Sequence, residues 1–403
     1  MKSTMKLLFV HDVKAAIYNG SVFARSYGYS VWKERYLSVF DQVKVLTRNR
    51  IVNEDPTGKM DLLLGSQVEY DDRVGMFKGP EVFFNKRIRN VIFEDISDSN
   101  FVICRLDSFL GLIAIRECKR IGKPYLIEVA GCAWDSFWNH GIAGKLIAPS
   151  MFLMMRHAIK NARYVVYVTE HFLQKRYPTS GKNTNISNVK IYKAQTDILN
   201  RRMEKIKATD IRKKIVLGTA ANVNVRYKGQ QYVIRALSEL KKEGITQFEY
   251  QLPGPGDNRY LIEEAKKYGV EDQLVFLGPL THERMMDWYH DIDIYIQPSL
   301  QEGLPRSVIE AMSYGIPCIG TNVAGIPELL DPNRLVNKKK VVPDLCKLLR
   351  SVTIDSLLDD SVRNFSEAQK YDFNLLNAKR KAFFQSAIDE SLNKCDRRKH
   401  LHM

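Results

Sequence analysis

The sequence is poor in cysteine and contains no long apolar run. None of its six cysteines belongs to a Cys-x-x-Cys pair or a Cys/His cluster: Cys104, Cys118, Cys132, Cys318, Cys346 and Cys395. This scatter argues against a disulfide scaffold or a zinc module and predicts reduced thiols in a cytoplasmic protein. No segment approaches the ~20 apolar residues of a membrane-spanning helix, and the apolar run at residues 7–10 is too short for a signal peptide. Any membrane contact is therefore expected to be peripheral.

Acidic residues are fewer than basic ones. Lys and Arg number 61 and Asp and Glu 46, which gives a formal net charge of +15. A basic balance favours anionic partners such as nucleotides, nucleic acids or an acidic membrane surface. The sequence shows no nucleic-acid-binding module and no aromatic-basic pattern, so nucleic acid is not an expected partner. With 45% hydrophobic and 10% aromatic residues, the chain can bury ordinary cores, and its length predicts two or three domains.

Short apolar segments alternate with helical patterns along the whole chain. Such alternation predicts an α/β protein with parallel sheets covered on both faces. The predicted strands occupy residues 6–10, 43–46, 101–104, 125–129, 164–169, 189–192, 215–218, 248–252, 274–277, 294–296 and 318–320. Residues 200–214 are highly charged and poor in apolar side chains, so we predict a linker there. The expected organisation is a first domain at 1–199, a second at 215–371, and a final helix and tail at 372–403.

The stretch at residues 297–330 carries the densest set of candidate site residues. It predicts a strand end, a tight turn, a helix, a second strand and the start of another helix. Glu302 lies in the turn, and Glu310 follows on the helix, roughly 7 Å further along at ~1.5 Å per residue. The amides around Gly303 and Leu304 are expected to form an anion site, because helix N-termini attract phosphates and glycine permits close approach. Two carboxylates beside such a site suit an elongated ligand with a central diphosphate, as in a nucleotide sugar.

A basic loop precedes a predicted helix at residues 231–243. Arg226 and Lys228 in this loop are placed to hold a diphosphate together with free helix amides. A solvated basic loop is the alternative interpretation. Further along, the strand at 248–252 ends in a turn that contains Gly254, which taken alone is a weak indication of a nucleotide site.

The motifs of the 297–330 stretch resemble a known signature. They are Pro298-Ser299, Glu302-Gly303, Glu310-Ala311, Gly315-Ile316-Pro317 and Gly325-Ile326-Pro327-Glu328. In this order they are similar to the donor site of the family 4 retaining glycosyltransferases, of the type that builds bacterial cell-surface polysaccharides. The resemblance implies the GT-B fold: two Rossmann-like domains that face each other across a cleft, with a C-terminal helix that crosses back to the first domain. It also implies a nucleotide sugar as donor substrate, no cofactor and no metal.

The resemblance implies roles for charged residues of the second domain. Glu302 is expected to contact the hydroxyls of the donor hexose, and Glu310 those of the ribose. Lys228 is expected to neutralise the diphosphate together with an arginine. In the family this arginine lies further upstream, where this chain has Ala221-Asn222, so Arg226 would act from a shifted position.

Three backbone positions are implied as well. Gly254 corresponds to the turn under the nucleotide, and Pro279 lies where the family binds the base. Gly20 corresponds to a glycine-rich loop near the donor phosphates, before a predicted helix at residues 22–39. This chain has Asn19-Gly20-Ser21 instead of paired glycines, and an ordinary strand-to-helix turn is the alternative.

The chain departs from the family after the strand at residues 125–129. The family histidine that faces the transferred sugar is missing here. Glu128 or Asp135 are candidates to take part of its role, and each fits equally a carboxylate that caps a neighbouring helix. Asp291 and Asp293 form an Asp-x-Asp that precedes an apolar strand, and we interpret it as structural instead of metal-binding.

Residues 134–163 combine apolar and basic side chains. The apolar set is Trp138, Ile147, Met151, Phe152, Met154 and Met155, and the basic set is Lys145, Arg156, His157, Lys160 and Arg163. The pattern fits a surface that lies against an acidic membrane. It fits equally an ordinary packed helix with a solvated basic side, since methionine-rich helix faces are usually core.

Together these features predict a retaining hexosyltransferase. It would move a hexose from a nucleotide-diphosphate sugar to a saccharide or lipid-linked saccharide acceptor in cell-surface polysaccharide synthesis, in the cytoplasm or at the inner face of the cytoplasmic membrane. Another two-Rossmann sugar enzyme, such as a nucleotide-sugar epimerase or a phosphorylase, is one alternative. The others are a basic non-catalytic protein that binds nucleotides or nucleic acid, and a sensor that binds the donor without turnover.

Overall fold

The computed structural model describes residues 4–25, 27–139, 141–193 and 196–401, with side chains up to residue 391. The chain divides into two compact units. Unit 1 contains Met1–Ile186 and Leu376–Met403, and unit 2 contains Ser187–Leu375. Each unit is built on a sheet whose core is parallel, so the prediction of an α/β fold with two parallel-sheet domains is confirmed.

Unit 1 has a sheet of nine strands among the residues described. They are β1 (Lys6–Tyr18), β2 (Ser21–Ala24), β3 (Gln42–Ile51), β4 (Asp61–Leu62), β5 (Val68–Asp71), β6 (Phe101–Leu106), β7 (Tyr125–Val129), β8 (Tyr164–Tyr167) and β9 (Lys182–Asn185). The central order β5-β3-β1-β6-β7-β8-β9 is parallel throughout. Its apolar strands are buried because helices cover both faces of a parallel sheet.

The helices of unit 1 follow the strands in alternation. They are α1 (Tyr29–Arg35), α2 (Lys86–Asp98), α3 (Phe109–Ile121), α4 (Ala133–Trp138), α5 (Gly141–Lys160) and α6 (Phe172–Arg176). The start of α3 shows how the ends of strands and helices are joined. The carboxylate of Asp12 accepts hydrogen bonds from the amides of Phe109 (2.7 Å) and Leu110 (3.0 Å), where a negative charge is favoured by the helix dipole.

The first residues of the helix predicted at 22–39 form a hairpin strand instead, and the helix itself, α1, covers only Tyr29–Arg35. β1 turns through Asn19-Gly20 into β2, which pairs with it antiparallel. Asn19 and Gly20 have φ values of 47° and 76°, the left-handed conformation that two-residue hairpin turns require and that Asn-Gly favours. Gly20 therefore lies exposed at a hairpin tip and not in a strand-to-helix loop.

Unit 2 has a sheet of six parallel strands within the described part of the chain, in the order β12-β11-β10-β13-β14-β15. The strands are β10 (Ile215–Gly218), β11 (Phe248–Pro253), β12 (Leu274–Gly278), β13 (Ile294–Gln297), β14 (Cys318–Thr321) and β15 (Leu335–Val336). The helices are α7 (Thr196–Ala208), α8 (Gln230–Lys242), α9 (Arg259–Tyr268), α10 (His282–Asp291), α11 (Arg306–Ser313), α12 (Val341–Arg350) and α13 (Ile354–Ala368). Since the strands run in one direction, their carboxyl ends meet at one edge of the sheet.

The last helix, α14 (Phe373–Leu401), starts in unit 2, and its residues from Leu376 onwards belong to unit 1. Within unit 1, the ring of Phe384 stacks on Tyr36 with centroids 6.0 Å apart. The carboxylate of Glu390 accepts hydrogen bonds from the hydroxyl of Tyr164 (3.0 Å) and the ammonium of Lys182 (2.5 Å). These contacts pack the last helix against unit 1.

A helix occupies most of the segment at 200–214 that was predicted as a linker. This helix, α7, buries Arg202 and Ile206. The guanidinium of Arg202 donates to the backbone carbonyls of Tyr289 (2.5 Å) and Ile292 (2.7 Å). The composition of the segment misled the prediction, because a buried arginine that binds carbonyl groups counts as surface charge in a sequence.

Five cysteines within the described residues are buried and carry free thiols: Cys104, Cys118, Cys132, Cys318 and Cys346. They behave as small apolar side chains of the two cores. None of the helices described is long and apolar enough to cross a membrane.

Candidate functional site

The loops at the carboxyl edge of the unit 2 sheet hold the candidate site, as is usual for ligands of open parallel sheets. The predicted order of strand, turn, helix and strand over residues 297–330 is confirmed by β13, α11 and β14. α11 begins at Arg306, directly after Pro305. Gly303 and Leu304 precede it and are half-buried. The carbonyl of Gly303 accepts a hydrogen bond from the amide of Gly325 (2.9 Å), which fixes this turn against the segment that follows β14.

Lys228 and Glu302 form an ion pair at this edge. The Nζ atom of Lys228 lies 2.6 Å from Oε1 of Glu302, and the two side chains are 23% and 11% exposed. At this degree of burial the attraction is less screened by water than in a surface pair. Two predicted site residues from separate motifs are therefore in direct contact.

The backbone holds the loops that carry this pair together. Gly229 has a φ of +82°, and a Cβ atom built on it would lie 2.0 Å from the carbonyl oxygen of Pro298. Next to this contact, the amide of Leu300 donates a hydrogen bond to the carbonyl of Tyr227 (2.8 Å). The position of Lys228 is thus set by main-chain packing as well as by its own rotamer.

Gln297 is a site residue that the sequence reasoning missed. It is buried at the end of β13, and its Nε2 donates to Oε1 of Glu302 (2.9 Å) and to the hydroxyl of Ser299 (2.8 Å). Its Oε1 accepts from the hydroxyl of Tyr295 (3.0 Å). Buried amides are almost always fully hydrogen-bonded, and here that requirement orients Glu302. The sequence does contain one signal for this role of Gln297: an amide side chain ends an apolar strand directly before the turn that contains Glu302.

Glu310 on α11 is held by a second residue that the sequence reasoning missed. The hydroxyl of Tyr289 on α10 donates to Oε2 of Glu310 (3.0 Å). Burial and the neighbouring Glu310 carboxylate raise the pKa of Tyr289 well above its ordinary value, so the phenol keeps its proton and acts as donor. The ring of Tyr289 stacks on Tyr314 with centroids 5.4 Å apart. An aromatic residue in an amphipathic helix gave no sequence signal for this role.

Arg226 lies in the same short 3₁₀ turn as Lys228 but makes a different contact. Its exposed guanidinium stacks over the ring of Tyr260 on α9, with the Cζ atom 4.2 Å from the ring centroid. Arginine commonly stacks on aromatic faces in this way. The structure therefore joins Lys228 to Glu302 and joins Arg226 to the neighbouring helix.

The glycine turn after β11 packs directly on the loop after β10. Gly254 has a φ of +151°, and a Cβ atom there would lie 2.0 Å from the carbonyl oxygen of Ala221. Its amide donates to the carbonyl of Gly278 (2.8 Å), the last residue of β12. Pro279 follows at once and is exposed. The predicted nucleotide-side positions, Gly254 and Pro279, are therefore brought together at the same edge.

The acidic candidates outside these loops have structural partners. In unit 1, the buried carboxylate of Glu128 accepts from the hydroxyl of Tyr36 (3.0 Å) and from Nη1 of Arg105 (3.0 Å). Asp135 lies in the first turn of α4. In unit 2, Asp293 accepts from Nζ of Lys205 (2.7 Å) and, at 2.8 Å, from the amide of residue 216. The geometry favours a structural interpretation of Glu128 and Asp293.

Comparison with known proteins identifies the family. Residues 214–352 match the model for glycosyl transferases group 1. Protein CapJ of Staphylococcus aureus is 34% identical over 364 residues, which cover 89% of each chain. The chain belongs to the group 1 glycosyl transferases. The amylovoran biosynthesis glycosyltransferase AmsK of Erwinia amylovora is 34% identical over 113 residues, 26% of this chain and 28% of that protein.

Solved structures establish the fold of this group 1 glycosyl transferase. A sucrose-phosphate synthase from Thermosynechococcus elongatus superimposes with a TM-score of 0.67 at 12% identity, over 96% of this chain and all of that one. HepE from Anabaena in complex with UDP-glucose gives 0.64 at 14% identity, over 95% of this chain and all of that one. Both the GT-B fold and the glycosyltransferase activity predicted from the sequence are confirmed.

Proposed function

We propose that this glycosyltransferase moves a hexose from a nucleotide-diphosphate sugar, with retention of configuration, to a saccharide or lipid-linked saccharide acceptor in cell-surface polysaccharide synthesis. The observation that carries the proposal is the Lys228–Glu302 pair beside the N-terminus of α11. The name of AmsK supports the pathway class, and the complex of HepE with UDP-glucose supports the donor class.

In the proposed donor complex, different groups at the edge of the unit 2 sheet bind different parts of the nucleotide sugar. Glu302 accepts hydrogen bonds from hexose hydroxyls, because a carboxylate held by Gln297 offers strong acceptor oxygens at a fixed place. Glu310, held by Tyr289, does the same for the ribose. The diphosphate lies between the two sugars, near the ammonium of Lys228 and the N-terminal end of α11. Arg226 contributes positive charge from the rim of the site.

The proposed reaction breaks the bond between C1 of the hexose and the diphosphate oxygen, and the electron pair stays with the diphosphate. A hydroxyl oxygen of the acceptor forms the new bond to C1 on the same face of the sugar. The acceptor proton passes to the departing phosphate oxygen. Lys228 and the amides around Gly303 and Leu304 stabilise the negative charge as it develops, which lowers the barrier more than it stabilises the bound substrate.

We further propose that the enzyme works in the cytoplasm, at the inner face of the cytoplasmic membrane. The chain carries a formal net charge of +15, which favours an acidic surface such as a membrane face that would carry a lipid-linked acceptor.

A thermal-shift panel of UDP-, GDP- and ADP-sugars tests the proposal. A bound donor stabilises the folded protein by mass action, so one nucleotide class is expected to raise Tm, and to do so less in Glu302→Gln. Mass spectrometry of acceptor extracts with that donor should then show an added hexose, and NMR should show the anomeric configuration of the donor. Isomerised donor in the absence of acceptor, phosphate-dependent cleavage, stabilisation without turnover, or a shift with nucleic acid alone would each contradict it.

A further inference from the structure

Helix α5 of unit 1 exposes a stripe of large apolar side chains. Ile142 is 81% exposed, Leu146 78% and Leu153 62%. They are spaced four and seven residues apart and therefore share one face of the helix, on which Pro149 is also exposed. Single exposed apolar residues are normal on a protein surface, but a contiguous stripe marks a surface that contacts something other than water.

The stripe is fixed in this orientation by the opposite face of α5. The buried side chains Met151, Met155, Ala158 and Ile159 on that face belong to the core of unit 1. The methionine-rich side is therefore core, as one of the two interpretations of this segment held. A rotation of α5 that hid Ile142 and Leu146 would expose Met151 and Met155, so the stripe cannot turn inward without loss of the core.

The charged side chains of α5 have a single sign. Residues 141–160 contain no Asp or Glu. The exposed polar side chains beside the stripe include Lys145, Arg156, His157 and Lys160. The ammonium of Lys145 lies 5.7 Å from the ring centroid of Trp138, which is itself partly exposed at the end of α4. An apolar face with a basic rim and a tryptophan at its end is the composition of helices that lie in a membrane interface.

From this arrangement we propose that the α5 stripe docks unit 1 on a bilayer surface that contains anionic phospholipid. Ile142, Leu146 and Leu153 enter the headgroup region, and Lys145, Arg156 and Lys160 contact the acidic headgroups. Charge complementarity selects this occupant, because a purely apolar partner would leave the basic rim without counter-charges. This inference rests on the proposed function only for the identity of the acceptor. Docking brings the enzyme to the surface that carries a lipid-linked saccharide.

Vesicle co-sedimentation of the full chain tests the docking surface, with phosphatidylcholine vesicles compared with vesicles that also contain phosphatidylglycerol. We expect binding to the anionic vesicles. The double variants Ile142→Ser/Leu146→Ser and Lys145→Glu/Lys160→Glu should each lower the partition coefficient by about tenfold or more. These side chains are exposed, so the substitutions leave the core intact, and unchanged Tm values would verify this.

Matched controls use exposed residues of the same types elsewhere in unit 1. Ile51, at the end of β3, is 82% exposed, and Ile51→Ser should bind as the wild type does. Lys59→Glu/Lys381→Glu makes the same change of net charge as the rim variant at other exposed positions, and should cost much less affinity. A larger loss in these controls than in the α5 variants would overturn the assignment of the surface.

Failure of the docking surface and failure of the proposed function are distinguishable. Absence of wild-type binding to anionic vesicles, or equal binding to both vesicle types, would overturn the inference, even if a nucleotide sugar still raised Tm. Concentration-dependent dimerisation that Ile142→Ser/Leu146→Ser abolishes would overturn it too, because a second copy would then cover the stripe. Vesicle binding that depends on the stripe would stand even if no nucleotide sugar bound.

Discussion

The ammonium of Lys228 and the carboxylate of Glu302 lie 2.6 Å apart, although the two residues are 74 positions apart in sequence. Each charge is compensated by the other, and Gln297 shares the same carboxylate oxygen. In the proposed donor complex, a hexose hydroxyl that binds Glu302 therefore meets a carboxylate whose direction is already fixed. Such preorganisation is the main source of electrostatic catalysis.

Removal of either charge of this pair should impair turnover strongly. Glu302→Gln keeps the shape of the side chain, and Lys228→Ala removes the cation next to the proposed diphosphate. We expect each to lower kcat/KM by about 100-fold or more, as for the loss of one oxyanion-type donor, with Tm values close to the wild type. Initial-rate kinetics with the donor found by thermal shift measure this. Arg226→Ala is the control, with a smaller loss, because its guanidinium stacks on Tyr260. Rates within twofold of wild type in both variants would refute the site.

Loss of the Tyr289 hydroxyl should affect donor binding more than chemistry. Tyr289→Phe keeps the stacked ring and removes the hydrogen bond to Glu310. If Glu310 holds the ribose in both ground and transition state, the KM for the donor rises about five- to tenfold while kcat stays near the wild-type value. Tyr314→Phe, a neighbour in the same stack, is the control and should change neither constant. A fall of kcat with KM unchanged would show that Glu310 has another role.

Alanine at Gly229 should be much more costly than alanine at a glycine of the same conformation. Gly229 and Gly244 have φ values of +82° and +80°, but a Cβ atom at Gly229 meets Pro298 at 2.0 Å, and nothing lies within 4 Å of one at Gly244. Gly244→Ala should cost about 1 kcal/mol for its backbone conformation. Gly229→Ala adds a clash with main chain and should cost at least about 2 kcal/mol more. Tm shifts compare the two, and equal shifts would contradict the close packing of the loops.

The buried carboxylate of Asp95 in unit 1 should give the protein a distinctive pH dependence. Burial and the charge of Asp71 outweigh the ion pair with Lys44 and raise the pKa of Asp95 to about 6. Between about pH 4 and pH 6 the folded protein then holds a proton that the unfolded chain has lost. The free energy of unfolding therefore falls as pH rises through this window and is level above it.

Asp95→Asn should remove this pH dependence. We expect the fall of Tm from about pH 4 to pH 6 to be steeper in the wild type than in the variant, by the equivalent of about 1 to 3 kcal/mol. The neighbouring Asp71 contributes outside this window. Although burial raises its pKa, hydrogen bonds with Arg73 and Asp95 hold the pKa of Asp71 below the usual value, so its contribution is lost only at lower pH. Parallel Tm profiles would show that Asp95 is ionised throughout.

The sequence predicted the charged residues of the candidate site but not the residues that position them. Glu302, Glu310 and Lys228 lie in motifs whose spacing is visible in the chain. Gln297 and Tyr289 act through hydrogen bonds between elements, and such partners are decided by packing at a distance that no local pattern contains.

Most strands could be predicted because a buried parallel strand is a short apolar run, as at residues 125–129 and 215–218, where β7 and β10 have the predicted bounds. Two of the segments that differ from the prediction do so for local reasons. The Asn19-Gly20 pair favours a hairpin, but a helix was expected after β1. The high charge of residues 200–214 predicted a linker, although α7 occupies most of that segment. Gly20 was interpreted through the family resemblance and Arg202 through composition, whereas the backbone conformation of Gly20 and the burial of Arg202 decide the structure.

Arg202 also limits where a fragment that contains only unit 2 can begin. Its guanidinium holds main-chain oxygens of Tyr289, Ile292 and Tyr314, and these segments flank the stacked rings that support Glu310. A fragment that started with the first strand of unit 2 at Ile215 would leave these carbonyl groups without their buried donor. An autonomous donor-binding fragment must therefore begin upstream of α7, close to Ser187, where unit 2 itself begins.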